Sequence, residues 1–284
     1  MKISFIGIGI MGSRMAINLL QSGVELTVYN RSEAPRKKLK EMGAQEATSL
    51  KEALSDADIV FTMLSKPEVV AELMLTSGLK DMKQNALWVD CSTINPSFTQ
   101  KASKAAKREG IRYLEAPVAG SSPQAETAEL VILVGGEEGD LNEAKPYLEM
   151  MSQKVLHLGS IGRGASFKLV INVMLATGMV AFAEALKFGE SMGLDAEFLL
   201  KALPNLTVSA PFTKMKAEVI KEGNYQPQFP LELLYKDLHL AAQTAYENGQ
   251  ALPYATMAKE LYAMAMKEGL GRKDMAAIYK FLDK

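Results

Sequence analysis

Short apolar runs and amphipathic stretches alternate along the first half of the chain. The runs are typical of buried strands, and the stretches repeat apolar residues at helical spacing. The predicted strands are Lys2–Gly7, Glu25–Tyr29, Ile59–Leu64, Ala86–Asp90, Arg112–Ala116, Val131–Val134 and Lys154–His157. The predicted helices among them are Met11–Gly23, Ala34–Met42 and Pro96–Glu109. This alternation predicts an α/β domain with a largely parallel sheet that is covered on both faces.

The strand pattern stops at Gly164, and helical patterns separated by glycine and proline follow it. The predicted helices are Ser166–Met192, Ala196–Leu203, Thr213–Glu222, Leu231–Asn248, Pro253–Glu268 and Met275–Leu282. The change of pattern predicts two domains, an α/β domain over residues 1–163 and an all-α domain over residues 164–284.

A GxGxxG motif follows the first predicted strand and opens the first predicted helix. It reads Gly7-Ile8-Gly9-Ile10-Met11-Gly12. The first glycine permits a tight turn, the second allows a pyrophosphate to approach the backbone, and the third allows close packing of helix on strand. In this position the motif predicts a Rossmann-like dinucleotide-binding domain, with the phosphates at the helix N-terminus.

The end of the second predicted strand indicates which cofactor binds. Enzymes that use NAD tend to place an acidic residue here for the ribose 2′-hydroxyl, whereas this chain has Asn30, Arg31 and Ser32. A guanidinium and a hydroxyl suit a 2′-phosphate. The sequence therefore favours NADP(H), and the alternative is that Arg31 is a solvated residue at a helix start.

Composition excludes several classes of function. The 284 residues include 32 Lys and Arg against 33 Asp and Glu, so no basic excess indicates nucleic acid or an anionic membrane as a partner. One cysteine and two histidines make a zinc site improbable. Few cysteines and no signal-like segment favour the cytoplasm. The apolar stretch Leu169–Phe188 contains polar and charged residues, which predicts a buried helix rather than a membrane span.

A lysine and an asparagine share one face of the first helix in the all-α region. Lys168 and Asn172 are four residues apart among apolar neighbours. A lysine ammonium can supply both charge and a proton to a carbonyl oxygen during reduction. The alternative is a lysine at a helix start whose stem packs while its head lies in water. Spacing alone leaves both interpretations open.

The motifs, taken in order, resemble those of the β-hydroxyacid dehydrogenases over essentially the whole chain. The family includes 3-hydroxyisobutyrate dehydrogenase and the tartronate semialdehyde and glyoxylate/succinic semialdehyde reductases. The matching segments are Gly7–Leu19, Met63-Leu64-Ser65, Asp90-Cys91-Ser92-Thr93, Glu115–Ser121, Gly162-Arg163-Gly164 with Lys168 and Asn172, and Lys236–Ala241. Several ordered motifs are far more specific than one. The stretches at residues 30–32 and 229–231 resemble the glyoxylate/succinic semialdehyde reductase branch.

The resemblance implies a role for each matching residue. Lys168 would be the catalytic lysine with Asn172 as its companion. The cofactor residues would be Gly7, Gly9, Ile10, Met11, Gly12, Asn30, Arg31, Ser32, Met63, Leu64, Thr93 and Lys236. The substrate residues would be Thr93, Ala119, Gly120, Ser121, Lys168, Asn172, Phe229 and Asp237. It also implies a homodimer or homotetramer.

The predicted function is the NADPH-dependent reduction of a small aldehyde that carries a carboxylate, or oxidation of the matching hydroxy acid. One departure concerns the substrate loop, where the family usually has serine and this chain has Ala119. The alternatives are a 3-hydroxyisobutyrate or tartronate semialdehyde enzyme, an imine reductase, and a non-catalytic binding module on the same fold. The lysine argues against the last two.

Overall fold

The computed structural model describes residues 1–283. Lys284, the last residue of the predicted helical domain, lies outside the described residues. The chain divides into two compact units, residues 1–168 and the part that begins at Leu169. The predicted boundary between residues 163 and 164 falls at the start of one continuous helix, Arg163–Ser191. The first residues of that helix therefore belong to the first unit.

The first unit is built on a six-stranded parallel sheet. Its strands are β1 (Ile3–Ile6), β2 (Leu26–Tyr29), β3 (Gln45–Glu46), β4 (Ile59–Thr62), β5 (Leu87–Asp90) and β6 (Arg112–Glu115). They lie in the order β3-β2-β1-β4-β5-β6, so the direction of winding reverses between β1 and β4. The carboxyl ends of strands at such a switch point are where open α/β sheets bind ligands.

Alternate residues of the central strands point into separate apolar clusters. Phe5 lies in one cluster with Val28 and Val89, while its neighbour Ile6 lies in another with Trp88. β1, β4 and β5 are buried along their whole length. This arrangement confirms the predicted sheet covered on both faces, because a strand exposed on one face would alternate apolar and polar residues.

The last two predicted strands of the α/β region belong to a separate three-stranded sheet. It contains β7 (Val118–Ala119), β8 (Leu130–Val134) and β9 (Ser152–His157), with β7 antiparallel to β8 and β8 parallel to β9. An isolated antiparallel bridge joins Glu115 to Gly135. Because the chain turns back at β7, β8 cannot continue the parallel sheet as a seventh strand.

Eight α-helices accompany these sheets in the described part of the first unit. They are α1 (Ile10–Gln21), α2 (Glu33–Glu41), α3 (Leu50–Leu54), α4 (Pro67–Val70), α5 (Leu79–Asp81), α6 (Pro96–Arg108), α7 (Ser122–Glu126) and α8 (Glu138–Glu149). A π-helical segment, Ala71–Gly78, lies between α4 and α5. The pattern predicted α1, α2 and α6 and missed the others. Most of the missed helices are short. The longer helix α8 contains Pro146, and a proline inside a segment argues against predicting a helix there.

The second unit is helical, as predicted. Its helices are α9 (Arg163–Ser191), α10 (Ala196–Ala202), α11 (Phe212–Glu222), α12 (Leu231–Glu247), α13 (Pro253–Lys267) and α14 (Ile278–Phe281). The predicted helix Met275–Leu282 begins as a 3-10 turn, Met275–Ala277. That turn starts where the Asp274 carboxylate accepts the Ala276 N–H, which satisfies a donor at the start of the segment.

Helix α9 is long and apolar enough to span a bilayer, judged by length and composition only. Its most apolar 18-residue window has a mean hydropathy of 1.9, and 44% of that window is buried. Ala176, Met179, Ala183 and Leu186 lie in the apolar core of the second unit at helical spacing. Core helices have the same composition, and these contacts give α9 that role here.

Candidate active site

Three glycines shape the turn between β1 and α1. Gly7 has φ +98°, and a Cβ there would collide with the Met63 carbonyl oxygen. A Cβ on Gly12 would collide with the Gly7 carbonyl oxygen. Gly9 differs, because a Cβ there would meet nothing within 4 Å among the described residues. Packing within the protein therefore requires Gly7 and Gly12, whereas the open side at Gly9 suits the close approach of a ligand.

The start of α1 offers free donors beside that opening. Its N-cap is Gly9, and among residues 1–283 no side chain caps it. The first-turn N–H groups, which include those of Ile10, Met11 and Gly12, have no intrahelical acceptor and carry partial positive charge. These residues fit the pyrophosphate of a nicotinamide dinucleotide.

Asn30 links the end of β2 to the glycine turn. Its Oδ1 accepts the Ile8 N–H at 3.1 Å, and its Nδ2 donates to the Ser32 carbonyl at 3.2 Å. Arg31 and Ser32 are exposed beside it. Asn30 therefore fixes the backbone, which leaves the two exposed side chains beside the position expected for the adenosine ribose.

A second arginine, Arg36, stabilises the end of β2. Arg36 donates from Nη1 to the Asn30 carbonyl at 2.7 Å and from Nε to Glu46 Oε1 at 3.2 Å. Its guanidinium carbon lies 5.8 Å from the centre of the Tyr29 ring. Because Glu46 balances its charge, Arg36 is suited to holding the strand end, while Arg31 is the better candidate for an incoming phosphate.

A hydrogen-bond network joins the carboxyl ends of β4 and β5. Trp88 Nε1 donates to the Thr62 hydroxyl, and that hydroxyl donates to Asp90 Oδ1, each at 2.8 Å. The Ser92 N–H also donates to Asp90 Oδ1, at 3.0 Å, and the Ser92 hydroxyl accepts the Leu64 N–H at 2.9 Å. Burial raises the pKa of Asp90. The network holds the turn at residues 63–65 against the loop at residues 91–93, both predicted to contact the cofactor.

Glu115, at the end of β6, binds the start of α9. Its carboxylate accepts the N–H groups of Gly162 at 2.6 Å, Gly164 at 2.9 Å and Ala165 at 3.2 Å. Burial raises its pKa to about 7, an effect that these hydrogen bonds oppose and the nearby charge of Asp90 reinforces. The sequence motif contained Glu115, but no pattern indicated a partner so distant along the chain.

Lys168 lies on α9 and is 6% exposed, so it is not the solvated lysine of the alternative interpretation. Asn172 follows one turn later and is 1% exposed. In the second unit, Asn172 Nδ2 donates to Asp237 Oδ2 at 2.7 Å, and the other oxygen of Asp237 pairs with Lys236 Nζ at 2.8 Å. The fold thus brings three predicted site residues together: Asn172, Lys236 and Asp237.

The predicted substrate loop has its own internal bonds. Ala119 is half-buried on β7, and Gly120 is exposed with φ +123°. The Ser121 N–H and hydroxyl both donate to Gln124 Oε1, at 3.0 and 2.9 Å. The Ser121 hydroxyl proton is therefore used inside the loop, which makes backbone N–H groups the better donors for a carboxylate here. Thr93 is half-buried in the loop after β5.

Phe229, predicted to line the substrate end, is held by a buried ion pair in the second unit. Lys216 Nζ donates to both oxygens of Asp274, at 2.9 and 3.0 Å, and the two residues are 2% and 0% exposed. Asp274 Oδ2 also accepts the N–H groups of Gln228 and Phe229, each at 3.1 Å. The sequence analysis missed this pair because its members are far apart along the chain.

Candidate metal ligands are not clustered in the part of the chain that the structure describes. Within residues 1–283, no group of three or more His, Cys, Asp or Glu side chains is placed to hold a metal ion. Cys91 is buried, and burial raises the pKa of its thiol. A thiol in that state is a packing residue rather than a nucleophile.

Both halves of the chain match families of known proteins. Residues 2–159 match the NAD-binding domain of 6-phosphogluconate dehydrogenase, and residues 162–282 match the NAD-binding region of NADP-dependent 3-hydroxyisobutyrate dehydrogenase. The chain is 33% identical over 283 residues to glyoxylate/succinic semialdehyde reductase 2, chloroplastic, of Arabidopsis thaliana, covering 99% of this chain and 79% of that protein. The 2-(hydroxymethyl)glutarate dehydrogenase of Eubacterium barkeri is 34% identical, over 98% and 94% of the two chains.

A solved structure agrees in fold over the full length. The 3-hydroxyisobutyrate dehydrogenase of Mycobacterium tuberculosis, determined with L-serine, has a TM-score of 0.89 and 30% identity, covering 100% of this chain and 99% of its own. These matches identify an oxidoreductase with a Rossmann-like domain for a nicotinamide cofactor and a helical second half. The chain belongs to the β-hydroxyacid dehydrogenase family.

Proposed function

We propose that this protein uses NADPH to reduce a short aldehyde acid of the glyoxylate or succinic semialdehyde type, with Lys168 as proton donor. The observation that carries the proposal is the burial of Lys168 on α9, one turn before Asn172. Lysines are almost never fully buried, and an ionisable group that is buried is a candidate functional residue. The similarity to a glyoxylate/succinic semialdehyde reductase supports the substrate class.

Lys168 has two tasks in this proposal. Reduction adds a hydride to the carbonyl carbon and a proton to the oxygen, and a bound nicotinamide supplies the hydride. The Lys168 ammonium stabilises negative charge as it develops on the oxygen. It then donates one proton, leaving a neutral amine that regains a proton from water.

The other predicted residues position the reactants. Because Asn172 Nδ2 donates to Asp237, its Oδ1 is the acceptor end and suits a hydrogen-bond donor on the substrate. We assign the substrate carboxylate to the backbone N–H groups near Gly120. Thr93 completes the set beside the nicotinamide. Correct placement of reacting groups supplies a large part of the rate enhancement in such a site.

Replacement of Arg31 by serine tests the preference for NADP(H). Charge-assisted hydrogen bonds to a 2′-phosphate should be lost, so the KM for NADPH should rise about 10- to 100-fold. The KM for NADH should stay the same, because NADH has no phosphate there. Lys37→Ala is the matched control, since Lys37 is an exposed cation paired with Glu33 on α2. An equal rise for both cofactors would assign Arg31 a structural role instead.

Replacement of Ala119 by serine tests the substrate loop. The added hydroxyl should donate to the substrate carboxylate and lower the KM for a short semialdehyde acid about 10-fold. An aldehyde of similar size without a carboxylate is the control, and its KM should not change. If steady-state kinetics gave the same KM for the acid in both proteins, this position would not contact the carboxylate.

A substrate panel tests the proposed function itself. Purified protein is mixed with NADPH or NADH and with glyoxylate, succinic semialdehyde or tartronate semialdehyde, and the absorbance of the reduced cofactor is followed. The reverse reactions use 3-hydroxyisobutyrate and L-serine with the oxidised cofactors. We expect NADPH oxidation with an aldehyde acid. Turnover of hydroxy acids alone would favour a 3-hydroxyisobutyrate-type enzyme, and cofactor binding without any turnover would favour a binding module.

A further inference from the structure

Glu115 stands where three parts of the first unit meet. It ends β6, it forms the isolated bridge with Gly135 that links the two sheets, and its side chain reaches the start of α9. It also directly precedes the predicted substrate loop, Ala116–Ser121. One side chain therefore connects the origin of that loop to the origin of the helix that carries Lys168.

The contact is a long-range helix cap. Helices α3 and α10 are capped by the residue just before them, Ser49 and Asp195. The cap of α9 comes instead from a residue 47 to 50 positions away and uses three N–H donors rather than one. Because Lys168 follows Ala165 by less than one turn, the cap fixes the backbone position from which the Lys168 side chain extends.

Two glycines make room for the carboxyl group. A Cβ on Gly135 would collide with Glu115 Oε1, and a Cβ on Gly164 would lie 3.3 Å from its Cδ and collide with the Leu133 carbonyl oxygen. The carboxyl group is thus enclosed closely on both sides. A shorter or longer side chain could not make the same three hydrogen bonds without moving β6 or α9.

The charge of Glu115 is costly to bury, which argues for a role beyond stability. Its pKa is raised to about 7, because burial outweighs the three hydrogen bonds. Two ionisable groups interact with it. Asp90 lies on the neighbouring strand β5, and its charge raises the pKa of Glu115; Tyr113 lies on β6 itself, and its own pKa is raised by burial and by these carboxylates. Arg163, in the first turn of α9, is exposed. Buried acids with raised pKa values are typical of functional sites.

We propose that Glu115 is a positioning residue for the reaction: its carboxylate fixes the start of α9 against the substrate loop and so sets the place of Lys168. This inference rests on the proposed function of Lys168. In its ionised form Glu115 accepts all three N–H groups, whereas protonation converts one oxygen into a donor and removes part of the cap.

The test compares wild type with Glu115→Gln and Glu115→Asp. Glutamine has the same shape but only one acceptor oxygen, and aspartate keeps the charge but is shorter. We expect kcat to fall about 10- to 100-fold in Glu115→Gln, with the Kd for NADPH unchanged within about twofold. We expect Glu115→Asp to recover part of kcat.

The pH profile separates positioning from simple stability. In the wild type, kcat should fall as the pH drops through about 7, because protonation weakens the cap. This acid limb should be absent in Glu115→Gln, which cannot ionise. Thermal stability should change in the opposite direction. The pKa of Glu115 is higher in the folded than in the unfolded protein, so the folded protein binds more protons between these two values. Its stability should therefore fall as the pH rises from about 4.5 to about 7.

Asp195→Ala is the matched control, because it removes a helix cap of α10 and no proposed site residue. It should lower the melting temperature and leave kcat unchanged. Amide hydrogen exchange at Gly162, Gly164 and Ala165 should accelerate only in the Glu115 variants. If the wild type reduces an aldehyde acid and Glu115→Gln has the same kcat and the same pH profile, this inference is wrong and the proposed function still stands. Absence of any wild-type turnover would overturn the proposed function and this inference with it.

Discussion

Replacing Lys168 by alanine should lower kcat for the aldehyde acid by about three to four orders of magnitude. Loss of a general acid alone typically costs about 10²- to 10⁴-fold, and the positive charge beside the developing oxyanion is lost at the same time. The Kd for NADPH, measured by titration of the cofactor fluorescence, should change little, because the predicted phosphate contacts lie at β1, α1 and β2. Steady-state kinetics at saturating cofactor measures the effect.

A second substitution at the same position separates charge from proton transfer. Lys168→Arg keeps a positive charge, but a guanidinium gives up its proton far less readily than an ammonium. We therefore expect substrate binding to be retained better than kcat. Lys187→Ala is the control on the same helix, since Lys187 pairs with Glu190 and Asp283 and has no proposed role in the reaction. Turnover near the wild-type rate in Lys168→Ala would refute the assignment of the proton donor.

Replacing Asp274 by alanine should destabilise the protein by about 3–5 kcal/mol, the usual cost of leaving one member of a buried ion pair without its partner. Burial lowers the pKa of Lys216, and the Asp274 charge opposes that shift. Without Asp274, the ammonium and the N–H groups of Gln228 and Phe229 lose their acceptor. This loss is a large fraction of the 5–15 kcal/mol that typically stabilises a folded protein.

Chemical denaturation followed by far-ultraviolet circular dichroism is the appropriate measurement. The chain has one tryptophan, Trp88, and it lies in the first unit, so its fluorescence would not report directly on the helices around Asp274. Glu197→Ala is the control, because its pair with Lys221 is largely exposed and such pairs contribute at most about 1 kcal/mol. A cost below about 1 kcal/mol for Asp274→Ala would mean that Lys216 finds other partners or loses its proton.

Local patterns were enough to predict the helices and strands with strong periodicity. α1 after Gly7-x-Gly9-x-x-Gly12, the buried strands β4 and β5, and the long helix α9 were all predicted, since each carries its signal within a short stretch. Short helices such as α3 and α7 were missed, because few residues carry too little periodicity to recognise. The separate sheet of β7, β8 and β9 was also missed, since it depends on where the chain turns back.

By itself, the sequence determined the two-part organisation, the nicotinamide-cofactor fold and the family, because ordered motifs and hydrophobic spacing are properties of neighbouring residues. Only the tertiary structure decided which distant residues meet. Glu115 accepts the N–H group of Gly162 47 residues away, Lys216 pairs with Asp274 58 residues away, and Asn172 bonds to Asp237 65 residues away. Buried charges must find partners wherever the fold places them, and no local spacing records that choice.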